Sequence, residues 1–556
     1  MKKITNIIMP LFAVLLFAGC AEENENNSGN IIPPVVSEGL ADNAILHDTP
    51  KIGTVSFKPA SHITGNSFSW HIEDMTLSNA NNREMTADFH NAGSYTVTLT
   101  VDGTEYSGSI IIPEEQSYEI DMGGGHTIIS DKGQKRLFIY GDNSLGQLCI
   151  EKTILSLKEP RILKSYTAEI SSVAAGKNHT LFTDNSNVYA CGDNSYGQLG
   201  TGSSAEVENV TTVSNITADV SYRRIFVSAG GDMSVAGLEF LDGATPKISI
   251  YNWGYNDNAA DKTQSQANLL INTNSRNEVL FATGNNFSVL RATSSYNVFS
   301  FGINDKWQLG RIQGATGYDA EPVNPDTHMD SNKTDMASGF VFTPYGEEQL
   351  AGDYSPRSYY QNNYFAKLAA GDDFVVSIKK ETTDDSEWTS QDKYAVYVWG
   401  NNENNQLGFQ NKDGNTSVRR GTALFNAIEN SAMTKDPNKV TPIVKEMVEV
   451  AAGRAAGYAI SSDGILYGWG DDSKGQLTNK KAQNTVNNMV YEIANPANLE
   501  AGYKKVWAGG DRVIVLAGDN NLYTWGDNTN GILGTNNENS VVNVPEKLYF
   551  SLAPIQ

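Results

Sequence analysis

Between residues 46 and 113 the chain is built of short stretches in which apolar and polar side chains alternate, the pattern of a strand with one buried face. Val55-Ser56-Phe57, Phe68-Ser69-Trp70-His71-Ile72 and Tyr95-Thr96-Val97-Thr98-Leu99-Thr100-Val101 each show it. Asp102-Gly103 then predicts a tight hairpin turn into a further strand from Tyr106 to Ile112, because both central positions of such a turn take positive φ. From about residue 117 the strand pattern acquires a longer period, and a fixed internal period is the mark of a repeat architecture.

One recurring element is a Gly followed by Asn or Asp and then Gln-Leu-Gly. It reads most completely as Gly192-Asp193-Asn194-Ser195-Tyr196-Gly197-Gln198-Leu199-Gly200, with copies or variants starting at Gly141, Gly254, Gly302, Gly400, Gly470 and Gly526. A second element, Ala-Gly or a variant and then a strand, precedes each copy, with its glycines at 123, 176, 230, 284, 371, 453 and 509. Two sets of seven in strict alternation predict seven units. Within one unit, His179-Thr180-Leu181-Phe182 is a strand, residues 184–187 turn the chain, and Val188-Tyr189-Ala190 returns. Such a unit is a small antiparallel sheet that cannot cover both of its faces alone, whereas seven packed around a ring can.

These motifs resemble the regulator-of-chromosome-condensation repeat, with its Ala-Gly-x-x-His-Thr and Trp-Gly-x-Asn-x-x-Gly-Gln-Leu-Gly signatures, over roughly residues 117 to 550. The resemblance implies an all-β fold whose main body, residues 117–556, is a seven-bladed β-propeller. The run Ala92 to Leu99, with Trp70 upstream, resembles an immunoglobulin-like β-sandwich of the polycystic-kidney-disease type, so residues 45–113 are expected to be a small sandwich domain that acts as a spacer. The first unit has little before Gly123, while Val544-Pro545-Glu546-Lys547-Leu548-Tyr549-Phe550 stands unassigned at the far end. That C-terminal strand is expected to complete the first blade and clasp the ring.

The N-terminus sets the expected compartment. Lys2 and Lys3 precede a short apolar run from Ile7 to Ala18, which ends in Leu16-Phe17-Ala18-Gly19-Cys20. A run this short with small residues before a cleavage point reads as a signal peptide over residues 1–19. Its ending resembles a lipobox, which implies lipidation at Cys20, a polar tether over 20–44, and an outer-membrane lipoprotein exposed at the cell surface. Only Cys149 and Cys191 remain. They fall in the first two repeats and fit either one bridge between neighbouring blades or two buried thiols.

Charge and candidate chemistry narrow the function. A net charge of −23 argues against nucleic acid, whose phosphates call for basic patches. The membrane is expected to be met through the N-terminal lipid only. His126 and His179 occupy a repeat position that elsewhere holds Met233, Phe287, Phe374, Ala456 and Arg512, so this position is not a set of metal ligands or general bases. The Asp-Asn pairs read as tight-turn residues rather than a calcium loop. No catalytic triad, metal cluster or cofactor is expected.

Recognition is expected where the repeats differ. The intervals between successive first elements are 51, 62, 48, 98, 70 and 56 residues (for example 192 − 141 = 51). The longest holds residues 311–363, with Tyr318, Tyr345, Tyr354, Tyr359 and Tyr360, and smaller insertions are expected at 379–395, with Trp388, and at about 409–438. Tyrosine among polar residues suits binding, since the ring offers contact area at small entropic cost. Trp307 stands where the other repeats place Gly146, Gly197, Asn405, Gly475 and Gly531, so either that turn is built differently or a tryptophan is displayed on one face of the ring. The expected function is therefore a lipid-anchored surface protein that binds an extracellular protein or glycan and is not an enzyme. A hydrolase or lyase at the channel mouth is the alternative.

Overall fold

In the computed structural model, the described residues run from 44 to 551 with breaks at several connections, the longest being 310–364, 382–392 and 427–442. Secondary structure is almost entirely strand, with one three-residue 3-10 turn at Thr529–Gly531. Nine sheets form among the described residues.

Two of them make the small domain. One has the order Phe550–Ser551, Ile45–His47, Gly53–Pro59, Met85–Phe89, and the other runs Phe68–Ile72, Gly93–Val101, Thr104–Ile112. Alternation delivers the core: Val55, Phe57, Trp70, Ile72, Phe89, Val97, Leu99 and Ile110 are all buried against one another. The hairpin turn is as expected, with Asp102 at φ 48° and Gly103 at φ 86°.

The other seven sheets follow in sequence, one for each repeat. Their inner strands are Tyr118–Met122, Ser172–Ala175, Arg224–Gly230, Leu280–Gly284, Phe365–Ala370, Met447–Ala452 and Tyr503–Gly509. Each inner strand packs on the next, and the last packs on the first. The chain is thus an all-β propeller. The repeat glycines make the close packing at the axis possible. A Cβ added at Gly123, Gly230, Gly284, Gly371, Gly453 or Gly509 would lie within 2.7 Å of a backbone carbonyl of the next sheet around the ring. No side chain fits there.

The ring does not close as the sequence led one to expect. Tyr118, Ile120 and Met122 give the first sheet its own inner strand, and Ser156–Ser165 gives it its own outer strand. Val541–Lys547 is instead the outer strand of the seventh sheet. The next strand, Phe550–Ser551, pairs with Ile45–His47 of the small domain. The C-terminal clasp therefore exists, but it fastens the small domain. Phe550 carries it, with its ring 4.8 Å from Phe138 of the first sheet and 6.0 Å from His47. Lys51 Nζ donates to Asp519 O and Asn521 Oδ1, and Lys547 pairs with Asp48 at 3.0 Å. Arg136 Nη2 of the first sheet donates to Ser109 O, so the small domain rests across the junction of the seventh and first sheets.

One further expectation changes. The segment 409–438 is not a simple insertion, because Ser417–Asn426 is a regular strand of the fifth sheet. Ile443–Val444 adds to the edge of that same sheet, and Met447–Ala452 opens the sixth.

Candidate functional site

Antiparallel order brings two kinds of turn to one face of the ring. The hairpin after each axial glycine and the Gly-Asp-Asn turn after each third strand lie side by side, joined by backbone bonds such as Asp142 N to Gly125 O and Asp193 N to Asn178 O. Asn143, Asn194, Asn402 and Asn528 are buried, and each organises its own turn. Asn143 Nδ2 donates to the carbonyls of residues 151 and 154 while its Oδ1 accepts from Leu148 N, and Asn528 repeats the pattern with 537, 539 and Leu533 N. These residues are turn architecture, with no group of three or more metal-ligating side chains among the described residues.

Trp307 answers one of the two alternatives left open by the sequence. Its φ is 65°, beside 77° and 78° for Gly146 and Gly197 and 57° for Asn405, so the fourth turn has the same build with a tryptophan in the left-handed region. The side chain is half-buried on this face. Tyr196 of the second turn and Tyr255, which stands where five other repeats have Asp or Asn, join it on the turn face with rings 5.3 Å apart. Sequence reasoning passed over this pair because each tyrosine looks like an ordinary loop residue in its own repeat. Tyr318, Tyr345, Tyr354, Tyr359, Tyr360 and Trp388 lie outside the described residues, as does Cys20.

The fifth to seventh sheets present charge on the same face. Arg454 is held by Asp511 at 3.0 Å and Asp471 at 2.9 Å, Lys306 by Glu403 at 2.6 Å, and Lys474 by Asp527 at 3.5 Å. Loss of water at the crowded axis, together with neighbouring Asp373 and against the pull of Arg454, pushes the Asp372 carboxyl up to about 6.

The repeat histidines are buried between sheets. Thr180 Oγ1 gives its proton to Gln147 O, so His126 Nε2, 2.8 Å away, is the donor to that hydroxyl. His179 acts on Ser234 in the same way, since Ser234 Oγ donates to Gln198 O. Both rings are neutral, with pKa lowered by burial to about 3 and about 4. A tryptophan before the repeat glycine marks four other seams. Trp253, Trp399, Trp469 and Trp525 each donate the indole N–H to the Gln carbonyl of the preceding sheet, at 2.8 to 3.1 Å. In the second sheet Cys191 takes that position and is bonded to Cys149 of the first, with Cα atoms 5.2 Å apart. The bridge stands in for the indole.

The profile of the regulator of chromosome condensation (RCC1) repeat matches residues 170–198 and 447–476, and a second profile of the same repeat matches 185–236 and 519–554. Those stretches of the chain match RCC1 repeats. The regulator of chromosome condensation of Xenopus laevis is 23% identical over 410 residues, covering 69% of this chain and 90% of that protein. The human X-linked retinitis pigmentosa GTPase regulator is 32% identical over 142 residues, 25% of this chain, and the match spans only 13% of that protein's length. Among solved structures, Prp20p of Saccharomyces cerevisiae, studied with its binding to Gsp1p and histones, superposes with a TM-score of 0.51 at 18% identity, covering 78% of this chain and 87% of that one. The same yeast RCC1 bound to Kap60 gives 0.50 at 19%. At these identities the superpositions establish the propeller fold alone. A protein-binding or regulatory role accords with it.

Proposed function

We propose that the chain is a lipid-anchored cell-surface protein whose seven-bladed propeller binds an extracellular protein or glycan through the turn face and its inserted loops. The small domain is an immunoglobulin-like spacer between the lipidated Cys20 and the ring. The observation that carries the reading is the division of labour on the turn face. Buried Asn, Gln and Gly residues build the turns, while Tyr255 and Trp307, which break the repeat, and Tyr196, at a variable position of it, keep part of their rings in solvent. A scaffold alone gives no reason for a tryptophan at φ 65° where glycine stands in four other repeats. Aromatic rings on a polar rim are what protein and carbohydrate recognition both use. The high negative charge weighs against nucleic acid as partner.

Residues 45–556, made without the signal and lipid, serve for a pull-down from an extracellular fraction and for a glycan array. A specific ligand is expected whose binding falls at least tenfold in the double variant Tyr196→Ala, Trp307→Ala. Failure of both assays to yield a ligand would refute the reading. The anchor has its own test: Cys20→Ser should abolish incorporation of labelled palmitate and move the protein to the soluble fraction.

A further inference from the structure

The outer strand of the third sheet, Thr263–Asn274, is 12 residues long, the longest strand among those described. Its sequence, Thr-Gln-Ser-Gln-Ala-Asn-Leu-Leu-Ile-Asn-Thr-Asn, contains no charge and no proline. It ends the strand order of its sheet. Its first residues are held by the second repeat, with Gln264 N donating to Tyr196 O, Ser265 O accepting from Gly202 N and Gln266 Oε1 accepting from Asn215 Nδ2. Beyond them no strand among the described residues pairs with its outer edge. An exposed edge offers a row of backbone donors and acceptors, and proteins ordinarily guard it with charge, proline or brevity. The other outer strands of the ring are guarded in one of these ways, that of the fourth sheet, Phe299–Gly302, only by its four-residue length. The outer strand of the first sheet carries Lys158, Glu159, Pro160, Arg161 and Lys164. That of the second is six residues long and includes Glu208. The fifth is capped by the two-residue Ile443–Val444, the sixth ends in Lys480–Ala482, and the seventh carries Pro545, Glu546 and Lys547.

The third sheet also extends away from the turn face. Met233–Asp242 and Thr245–Tyr255 pair without interruption from Met233 opposite Gly254 to Asp242 opposite Thr245. The corresponding strands of the second sheet, His179–Thr183 and Val188–Gly192, have five residues each. The extra length leaves Leu241 49% exposed. Within the part of the strand shared with the second sheet, Leu269 opposite Tyr251 is 39% exposed, and Gln266, Asn268 and Asn272 are exposed as well.

We propose that this edge is a docking site for an extended, uncharged segment of a partner protein, which adds to the third sheet as a fifth strand. Backbone hydrogen bonds supply the affinity in such augmentation, and alternate side chains supply the selectivity. Leu269 gives the incoming strand an apolar contact, and the amides at 266, 268 and 272 accept polar but uncharged neighbours. The chain's charge of −23 disfavours an acidic segment, and the edge has no carboxylate with which to attract a basic one. The stretch 266–274 lies beyond the bonds that tie Gln264 and Ser265 to the second turn.

The test uses residues 45–556 and the probe peptide acetyl-Thr-Val-Thr-Val-Thr-Val-Thr-amide. At saturation, hydrogen exchange of amides within 266–274 is expected to slow at least tenfold. A peptide with Glu in place of each Thr should bind at least tenfold more weakly. Leu269→Lys should reduce affinity for the neutral peptide at least tenfold with no change in unfolding midpoint, and Gln266→Lys provides the same guard should Leu269→Lys prove unstable. Unchanged exchange, protection on another sheet, or indifference to both lysines would overturn the proposal. So would protection of 266–274 that grows with protein concentration in the absence of peptide, which would make a second copy of this chain the occupant.

Discussion

The seam between the first and second sheets and the seam between the seventh and first join equivalent surfaces with different chemistry. At the first, a disulfide replaces the indole-to-carbonyl bond of four other seams, and His126 reaches Thr180. At the second, the three repeat residues that would serve are all changed. Tyr140 stands for the tryptophan, Ile532 for the glutamine and Arg512 for the histidine. Arg512 is 1% exposed, and its guanidinium donates to Thr127 Oγ1, Ile532 O, Gly123 O and His126 O. A seam between consecutive repeats joins sheets that are already close in sequence. The closing seam joins the two ends of the ring, at residues 123 and 512. It recruits a longer side chain with more donors, and the small domain lies across it.

Four measurements would break or sharpen this contrast. The disulfide spans a sequence separation of 42, and its removal in Cys149→Ser, Cys191→Ser is expected to lower stability by about 4 kcal/mol through the freed denatured chain. Urea unfolding measures this, and a loss under about 1 kcal/mol would mean that packing alone holds that seam. Arg512→Met should cost about 3 kcal/mol, because it strands buried carbonyls that no water can reach. It should also make the small domain more sensitive to protease, an effect not expected of the disulfide variant. Equal sensitivity in both variants would remove the distinction between the seams.

Acid provides the third measurement. Burial lowers His47 and His126 to about 3 and His179 to about 4, against 6.5 for an unperturbed ring. Between about pH 6.5 and 4 the unfolded chain binds protons that the native rings refuse, so stability falls as pH falls through that window. Each histidine contributes up to about 1.4 kcal/mol per pH unit. Asp121 and Asp372, each pushed up to about 6 by burial, take their protons first in the native state and offset roughly two of the three. His179→Gln should flatten the dependence of the urea midpoint between pH 7.5 and 5, and a slope equal to that of the parent protein would show that this ring is not the buried neutral group described. The smallest effect is local. Trp307→Gly relieves a left-handed backbone and should raise stability by about 1 kcal/mol while weakening ligand binding at the turn face. A gain in stability with binding intact would leave Trp307 as decoration.

Much of this was written in one dimension. Alternation gave the small domain its strands, and Asp102-Gly103 gave its turn, because both depend on neighbouring residues alone. The paired glycines at 123 and 141 through 509 and 526 set the number and register of the repeats, since each must fit the same close approach or the same turn. Position in the repeat also foretold that His126 and His179 would be architecture. The C-terminal strand was misassigned because pairing partners are chosen by space. Tyr118, Ile120 and Met122 supply the first sheet from only three alternating residues, and the tail was then left for the seventh sheet and the small domain. The bridge between Cys149 and Cys191, the aromatic pair Tyr196 and Tyr255, and the guanidinium that closes the ring all join residues of different repeats. Their meeting depends on how one sheet is turned against the next, and no local pattern records that angle.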